Sequence, residues 1–451
     1  MNSTNRLLIT WLELPGHEGW DLARQAWNRA VDQRPAAVAL PESAQDVLAV
    51  VEFARAHGLA VAPQRTGHGA LPLGPLDETI LLHTARMRGV QIDPVAGRAR
   101  VQAGELWGEV AQASAEHGLA GLAGSSPNVG VVGYSLGGGI GWLARRYGLA
   151  ANSILGADVV TADGRLVHAD PEHEPELFWA MRGGGGSFGI VTALEFALYP
   201  VRQVYAGVLF WPVERAGEIL HAWRHWTEGV PDEMTSVGRL RKMPQIPEVP
   251  GPLQGRSFVF VEAAYTGAEA DGIELLRPLR ALGPQVDTFR LVPMTELGQL
   301  HMDPQQPMPR VGTGCLLAAF PAAAVDALVA TAGPGSGSPL GSVEVRHLGG
   351  ALARRLPEHG ALASLDAGFA VYAFGMARTP EIGAATRRHS ELVLEALRPW
   401  HADSRYLNFV DRRVDESLLY PAETFERLRR VKAQYDPENL IRSNHPIPPH
   451  S

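Results

Sequence analysis

The sequence predicts an α+β protein with two domains. At 451 residues the chain is too long for one ordinary hydrophobic core, so two domains are the natural expectation. Apolar residues make up 45% and charged residues 20%, which is typical of a globular protein. Up to about residue 200, strands and helices mix with glycine-rich segments. Beyond that point, well-separated strands alternate with helices, which indicates an antiparallel sheet with helices on one side.

The first 200 residues contain clear start and stop signals. Ser43 and Asp46 form a capping-box pattern at the start of a helix, and Gly58 supplies its C-terminal stop. A turn at 94–97 between two short apolar runs predicts a hairpin. We expect helices at 20–30, 43–58, 105–117 and 175–181, and strands at 38–41, 59–62, 79–83, 90–93, 99–103, 154–161 and 190–198.

The remainder of the chain has a different pattern. Pro- and Gly-rich linkers are expected at 243–255 and 333–341, and a tail of different character begins near residue 405. We expect strands at 205–211, 258–265, 314–320, 343–347 and 369–374, and helices at 267–282, 322–331 and 421–435.

Composition and charge argue against several classes of protein. A net charge of −8 disfavours non-specific nucleic-acid binding, and no 18-residue apolar run is present to span a membrane. Residues 1–18 lack the pattern of a secretory signal, and Cys315 is the single cysteine, so we expect a cytoplasmic protein without disulfides. His168, Asp170 and His173 match no familiar ligand spacing, so we expect no metal site.

Two stretches indicate a binding site. Residues 64–70 place a histidine between glycines directly after an apolar run, and residues 125–142 are dense in glycine. Glycines allow close backbone approach and positive φ, and consecutive free N–H groups form anion-binding nests. Because neither stretch contains lysine, the pair is interpreted as a dinucleotide cradle built from main-chain donors, with His68 inside it.

Two further motif matches would indicate other protein classes, a Rossmann dinucleotide-binding protein and a serine hydrolase. Residues 184–189 fit G-x-G-x-x-G, but they follow a predicted helix and precede a strand, which is the reverse of a Rossmann fingerprint. Residues 133–137 fit G-x-S-x-G, which would make Ser135 the nucleophile of a hydrolase. No upstream His-Gly-Gly-Gly stretch supplies an oxyanion hole, so a serine hydrolase remains a distant alternative.

Together these motifs resemble those of the berberine-bridge-enzyme-like FAD-linked oxidases, a branch of the vanillyl-alcohol-oxidase flavoprotein superfamily. The resemblance covers nearly the whole chain. It implies a two-domain PCMH-type FAD-binding fold with an antiparallel-sheet substrate domain backed by helices. Residues 1–203 would form the first part of the FAD-binding domain, 204–400 the substrate domain, and 401–451 the segment that completes the FAD-binding domain.

The resemblance also implies how FAD is held. Gln64-Arg65-Thr66-Gly67-His68 matches the family loop Arg-Ser-Gly-Gly-His, whose histidine bonds to the flavin 8α-methyl group. Many members add a second link through the cysteine of Cys-Pro-x-Val-Gly-Val-Gly-Gly. Ser126 stands at that position and cannot form a thioether, so we expect a single covalent link through His68. Val129 matches the family position at which valine is associated with oxidases.

The tail sequence Tyr406-Leu407-Asn408-Phe409 resembles Tyr-x-Asn-Tyr, whose second tyrosine serves some members as a base. Phe409 has no ionisable proton and cannot take that role. The candidate catalytic residues are Tyr406, Tyr372 and His347. The expected FAD-contacting residues are Arg65, Thr66, Gly67, His68, Gly69, Ala70, Ser125, Ser126, Val129, Gly130, Val131, Gly133, Tyr134, Gly137, Gly138, Gly139, Gly141, Gly189, Ile190, Val191, Asn408 and Asn444.

The function implied is that of an FAD-dependent oxidase. It would transfer hydride from a small organic substrate, such as a secondary metabolite, an alkaloid or a sugar-like compound, to covalently bound flavin. Dioxygen would be reduced to hydrogen peroxide. The expected partners are therefore a small-molecule substrate and dioxygen, with the protein a monomer or homodimer. A flavin dehydrogenase or a non-redox flavoprotein on the same fold stays open as the alternative.

Overall fold

The computed structural model describes residues 12–247 and 249–450, and these build three β-sheets. Residues 1–11 lie outside the described residues, and they belong to the segment 1–18 that lacks a secretory-signal pattern. Residue 248, in the predicted linker 243–255, also lies outside them. Among the described residues, no helix has the length and apolar character needed to cross a membrane.

The first sheet carries the histidine loop at the end of one strand. Its strands, in the spatial order β1-β2-β4-β3, are β1 (Leu12–Glu13), β2 (Ala37–Ala39), β3 (Ala60–Gln64) and β4 (Thr79–His83). The last three are parallel because a helix, Ala44–His57, crosses between β2 and β3. The predicted capping box of Ser43 and Asp46 is confirmed, and Gly58 ends the helix at φ +67°.

The helix predicted at 20–30 is wrong beyond its first turn, because the structure has a helix only at Trp20–Ala23. The main chain that follows makes long-range bonds instead. Trp27 N–H donates to the Thr66 carbonyl at 2.7 Å, and Arg29 N–H donates to the Met308 carbonyl at 3.1 Å. Tertiary contacts have overridden the local helical pattern, and they place Trp27 beside the histidine loop.

The second sheet is antiparallel and carries the glycine-rich segments. Its strands, in the order β5-β6-β9-β7-β8, are β5 (Val90–Asp93), β6 (Arg98–Gln102), β7 (Ile154–Val160), β8 (Leu166–Ala169) and β9 (Ile190–Ala197). The accompanying helices are Trp107–Ala115, Val131–Leu136, Ala144–Tyr147 and Pro175–Gly184. The segment 125–142 therefore runs into a short helix, and the segment 185–189 leads directly into β9.

The third sheet confirms the prediction of an antiparallel sheet backed by helices. Its strands are β10 (Gln203–Pro212), β11 (Met234–Lys242), β12 (Ser257–Tyr265), β13 (Val286–Asp287), β14 (Arg290–Pro293), β15 (Arg310–Leu317), β16 (Ser342–His347) and β17 (Phe369–Met376). The helices Ala216–Thr227, Glu269–Arg280, Ala322–Ala332 and Pro380–Leu397 pack an apolar core on one face, and Met294–Leu297 adds one turn. Strands β11, β13 and β14 were not among the predicted strands.

Alternation along these strands separates the two faces of the third sheet. In β16, Val343 and Val345 point into the helix-covered core, whereas Glu344 and Arg346 face the cavity. The His347 side chain lies on the opposite face of the strand from Arg346 and stacks on Phe369, with ring centroids 5.4 Å apart. The face that lacks helices is thus lined with polar and aromatic side chains from several strands.

The tail returns to the first two sheets. It forms a single turn at Leu407–Phe409 and the helix Ala422–Tyr435, and Ile441 bridges to Val61 of β3. Buried Lys432 donates to the Ser187 carbonyl at 2.8 Å, to the Ile441 carbonyl at 3.2 Å and to Asp436 at 2.5 Å. This contact fastens the tail to the glycine segment that precedes β9.

Candidate active site

A cavity of about 360 Å³ lies between the glycine-rich segments and the helix-free face of the third sheet. This volume falls within the usual range for small-molecule sites. The structure brings most of the predicted site residues to the cavity lining: Arg65, Thr66, Gly67, His68, Gly69, Ala70, Ser125, Ser126, Val129, Gly130, Gly133, Tyr134, Gly137, Gly189, Val191, Tyr372, Tyr406, Asn408 and Asn444. The others, Val131, Gly138, Gly139, Gly141, Ile190 and His347, lie outside it.

His68 stands at one end of the cavity with a nitrogen that lacks a partner. Its ring stacks on Trp27 with centroids 4.1 Å apart, and its Nε2 is buried with no hydrogen bond to any described residue. Burial, and next the charge of Arg310, lower the pKa of His68 to about 3. The imidazole is therefore neutral at ordinary pH, which is the nucleophilic form of this side chain.

The glycines on this side, together with the residues between them at 66–69, 125–141 and 185–189, form what we call the glycine wall. Gly133 is exposed, and a Cβ built on it would meet nothing within 4 Å, so its backbone borders open space. At Gly137 a Cβ would lie 2.0 Å from Asn408 Oδ1, so a side chain there would displace the tail. An unpartnered buried nitrogen and a bare backbone surface fit a large flat cofactor such as FAD.

Two serines of the glycine wall have local partners. Ser126 Oγ donates to Asn128 Oδ1 at 2.8 Å. Ser135 is buried, and its Oγ donates to the Val131 carbonyl at 2.8 Å within the short helix. The Ser135 side chain does not line the cavity, and no histidine is bonded to it. The hydrolase interpretation of Ser135 is therefore wrong, because the hydroxyl serves the helix backbone.

Tyr406 and Asn408 hold the tail against the glycine wall. The Tyr406 hydroxyl accepts from Gly139 N–H at 2.9 Å and from Asn408 Nδ2 at 3.2 Å. A hydroxyl has two acceptor positions, and both are occupied here. Burial raises the pKa of Tyr406 to about 12. These bonds favour an orienting role for Tyr406 over that of a proton acceptor.

Tyr372 and Asp411 form a hydrogen-bonded acid–base pair in the cavity. The Tyr372 hydroxyl donates to Asp411 Oδ2 at 2.5 Å, and both residues are buried. Burial raises the pKa of both groups, and the nearby charge of Arg310 opposes that rise. Because Gly314 leaves room for the Phe409 backbone, the tail comes close enough for this contact; a Cβ on Gly314 would lie 2.9 Å from Phe409.

A chain of buried charges crosses the cavity-facing side of the third sheet. His301 bonds to Glu262 through Nδ1 and to Glu344 through Nε2, the second at 2.5 Å. Arg346 Nε donates to Glu344 at 2.9 Å, and the Arg346 guanidinium lies 5.2 Å from the Phe409 ring centroid. Burial and Arg239 oppose protonation of His301, but Glu262 and Glu344 raise its pKa. An imidazolium between two carboxylates fixes Glu344 and therefore Arg346.

His347 is not part of this site. Its Nε2 lies 2.9 Å from an Arg145 guanidinium nitrogen, and burial followed by that charge lowers its pKa to about 3. The alternation of β16 turns it away from the cavity, so the catalytic role expected for His347 has no structural support.

Several cavity residues were missed by sequence reasoning. Trp27, Asp303, Arg310 and Asp411 line the cavity, and none of them stands in the motifs that carried the resemblance. Asp411 had a usable signal, since it follows Phe409 by two residues at the end of the tail motif. Glu262 had another, because a charged residue inside the apolar strand β12 must face a polar site or a buried partner.

Comparisons with known proteins agree with this arrangement. Residues 35–170 match the family model described as FAD binding domain, and residues 405–448 match the model described as Berberine and berberine like. The chain is 30% identical over 458 residues to (R)-6-hydroxynicotine oxidase of Paenarthrobacter nicotinovorans, covering 96% of each protein.

Solved structures of other proteins are similar over nearly the whole chain. The crystal structure of 6-hydroxy-D-nicotine oxidase from Arthrobacter nicotinovorans has a TM-score of 0.82 at 28% identity, covering 97% of this chain and 98% of that one. Physcomitrella patens BBE-like 1 has a TM-score of 0.88 at 21% identity, covering 100% of both chains, and shows the shared fold. The chain belongs to the berberine-bridge-enzyme-like FAD-linked oxidases and is an FAD-dependent oxidoreductase.

Proposed function

We propose that this protein is an oxidase that holds FAD through a single covalent bond to His68 and oxidises a small, largely apolar organic substrate. The observation that carries the proposal is one cavity that joins a neutral histidine whose Nε2 has no hydrogen-bond partner, a bare glycine wall and a buried tyrosine–aspartate pair. Bound FAD would supply the hydride acceptor and deliver electrons to dioxygen to give hydrogen peroxide.

The glycine wall and the tail would hold and orient the cofactor. Ser126 replaces a second attachment cysteine and keeps its hydroxyl on Asn128, so His68 is the single attachment point in this proposal. Gly69 supports close packing of the tail, since a Cβ there would lie 3.0 Å from Asn444 Nδ2. The domain boundaries at 203 and 400 remain part of the proposal, with the cavity between the two units.

The proton of the substrate would leave through Tyr372. The Tyr372 oxygen accepts the O–H or N–H proton as the C–H bond breaks, and Tyr372 gives its own proton to Asp411. Asp411 then ends as a neutral acid and Tyr372 is again a neutral phenol, so no phenolate forms, which burial would make costly. Tyr372 thereby replaces Tyr406 as the proposed proton acceptor, and Tyr406 orients the tail.

The walls around Tyr372 indicate the shape of the substrate. Trp27, Phe374 and Phe409 line the cavity beside it, and Tyr372 lies 5.6 Å from Phe374 and 5.2 Å from Phe409 by ring centroids. Flat aromatic faces favour a flat or apolar substrate. The similarity to (R)-6-hydroxynicotine oxidase, which is named for such a molecule, supports the same class.

An absorbance spectrum and a peroxide assay test the proposal. Purified protein should be yellow, and aerobic incubation with panels of aromatic amines and aromatic alcohols should release peroxide from at least one compound. A colourless protein, or one whose flavin no panel compound reduces, would contradict it.

The flavin dehydrogenase remains the second candidate, and Val129 separates the two. Val129 is half-buried and lines the cavity, and it matches the family position at which valine is associated with oxidases. Rapid reoxidation of the reduced protein by air would support the oxidase. Slow reoxidation together with fast turnover on an artificial electron acceptor would make the protein a dehydrogenase.

A further inference from the structure

The cavity contains one cation that no described residue pairs with. Arg310 lines the cavity at the start of β15, and its guanidinium makes no hydrogen bond or ion pair with any of the described residues. The other central arginine, Arg346, is bonded to Glu344. Arg310 is half-buried, and its Nε is buried without a hydrogen-bond partner. Removing a charged group from water is costly unless a partner satisfies it, so Arg310 marks a place for an anion.

The surroundings hold the Arg310 guanidinium in place without neutralising it. Its main-chain N–H donates to Asn28 Oδ1 at 3.1 Å, and Asn28 Nδ2 donates to its carbonyl at 3.0 Å, so the backbone is clamped. The guanidinium carbon lies 5.7 Å from the ring centroids of Trp27 and Tyr372 and 5.6 Å from that of Phe374. Cation–π contacts orient a guanidinium while leaving its N–H donors free.

The charge itself is maintained. Burial works against ionisation of Arg310, but Tyr372 and Asp411, followed by more distant acids, raise its pKa. The same acids limit what can bind. Asp303, Glu344 and Asp411 all line the cavity, so a dianion such as a phosphate would meet about twice the repulsion that a singly charged carboxylate meets.

We propose that Arg310 is a substrate anchor that binds the carboxylate of an aromatic acid. This inference rests on the proposed function and narrows its substrate class. The planar guanidinium fork matches a carboxylate in two parallel hydrogen bonds, and the three aromatic faces accept the attached ring. Since Tyr372 is itself one of those faces, an acid held by Arg310 lies beside the proposed proton acceptor.

Binding of benzoate and benzamide tests the anchor, because the two molecules have nearly the same shape and differ in charge. Titration calorimetry on the purified holoprotein measures both affinities without turnover. We expect benzoate to bind at least about tenfold more tightly than benzamide, and Arg310→Gln to weaken benzoate by about 10- to 100-fold. Benzamide should bind the variant and the wild type equally. Arg310→Lys keeps the charge but loses the fork, so it should retain part of the preference.

Arg256→Gln is the matched control, since Arg256 lies over the Phe258 ring at 5.3 Å but does not line the cavity, and it should change neither affinity. Equal affinities in wild type, no benzoate binding, or equal weakening of both ligands in Arg310→Gln would overturn the anchor. The wild-type comparison decides the matter even if Arg310→Gln fails to fold. A yellow, active protein that binds benzoate and benzamide equally would refute the Arg310 anchor but not the oxidase proposal. A colourless protein would refute the oxidase proposal, and the calorimetric comparison of the two ligands would still decide whether Arg310 is an anchor.

Discussion

The two walls of the cavity are built in opposite ways. The glycine wall consists of contiguous, glycine-rich stretches, and its histidine, His68, is neutral. The opposite wall, which we call the sheet wall, presents charged and aromatic side chains from β15, β16 and β17, together with His301, Asp303 and tail residues 406–411. Contiguous backbone suits a cofactor whose shape is constant, and scattered side chains suit a substrate that differs between relatives.

Asp411→Asn should cause the largest loss, because it removes the final proton acceptor of the sheet wall while leaving the glycine wall intact. We expect flavin reduction by substrate to slow by about 10²- to 10⁴-fold, the range of general acid–base catalysis. Stopped-flow absorbance measures it. The matched control is Asp415→Asn, an exposed tail carboxylate that caps Ser417, which should leave the rate unchanged.

The dependence of activity on pH also tests the Tyr372–Asp411 pair, because the direction of the change is fixed by the chemistry. Burial raises the pKa of Asp411, and the carboxyl must be ionised to accept a proton. Activity should therefore fall as pH drops through a value above the ordinary aspartate range. A profile with no such acid limb, or an Asp411→Asn enzyme that reduces its flavin at the wild-type rate, would remove the pair from the mechanism.

The two walls also differ in how much of their structure could be predicted from the sequence. The helix-backed sheet and the glycine-lined half of the cavity follow from local patterns, so Arg65 to Ala70 were placed correctly at the cavity. The Tyr372–Asp411 and His301–Glu344 contacts join residues 39 and 43 positions apart, and they depend on strand register and on the return of the tail. The local pattern also placed His347 at the site, because the face of β16 that meets the cavity depends on how the strands pair. It likewise extended a helix through Trp27, whose main-chain N–H is instead bonded to the Thr66 carbonyl.

Glu262→Gln should give the next largest effect, on stability. The change leaves His301 and Arg239 without their shared buried carboxylate, and breaking such a pair costs about 3–5 kcal/mol of unfolding free energy. Urea unfolding of the holoprotein measures it. Glu176→Gln, which breaks a half-exposed pair with Arg427, should cost only a small fraction of this. Equal losses of unfolding free energy in the two variants would show that the buried ion pairs of Glu262 stabilise the fold no more than an exposed ion pair does.

The same network predicts how stability varies with pH. Despite burial, Arg239 and His301 lower the pKa of Glu262, so its contribution is present above the unfolded value and is lost as pH falls through the folded one. The raised pKa of His301 acts in the other direction: its contribution is complete below about pH 6.5 and is lost as pH rises through the folded value. Unfolding free energy should therefore decline above neutrality, and His301→Gln should flatten that decline. An unchanged slope would contradict a charged His301.

Val129→Ile should have a smaller effect, confined to the glycine wall. An added methylene in a packed site costs about 1–3 kcal/mol, which corresponds to roughly 5- to 150-fold slower reoxidation by dioxygen if Val129 borders its path. Stopped-flow mixing of reduced protein with aerated buffer measures this. Val132→Ile, at a second cavity-lining valine, is the matched control and should reoxidise at the wild-type rate. Equal slowing in both variants would argue for general overpacking.

Phe409→Tyr should have the smallest effect. The Phe409 ring lies 5.2 Å from Tyr372 and 5.1 Å from Tyr406 by centroids, so a new hydroxyl would enter a site that already has a proton acceptor. We expect the rate of flavin reduction by the native substrate to change less than about threefold, by less than 1 kcal/mol. A gain of tenfold or more would transfer the proton-accepting role from Tyr372 to position 409.

The attachment of FAD to His68 is tested most directly by acid precipitation of the purified protein, followed by mass spectrometry of the peptide that contains residues 65–70. We expect a yellow precipitate, a peptide heavier by the mass of one FAD, and loss of both in His68→Ala. His83→Gln, at a histidine outside the cavity lining, should keep the colour and the added mass. A white wild-type precipitate, or a flavin attached to any other residue, would contradict the account.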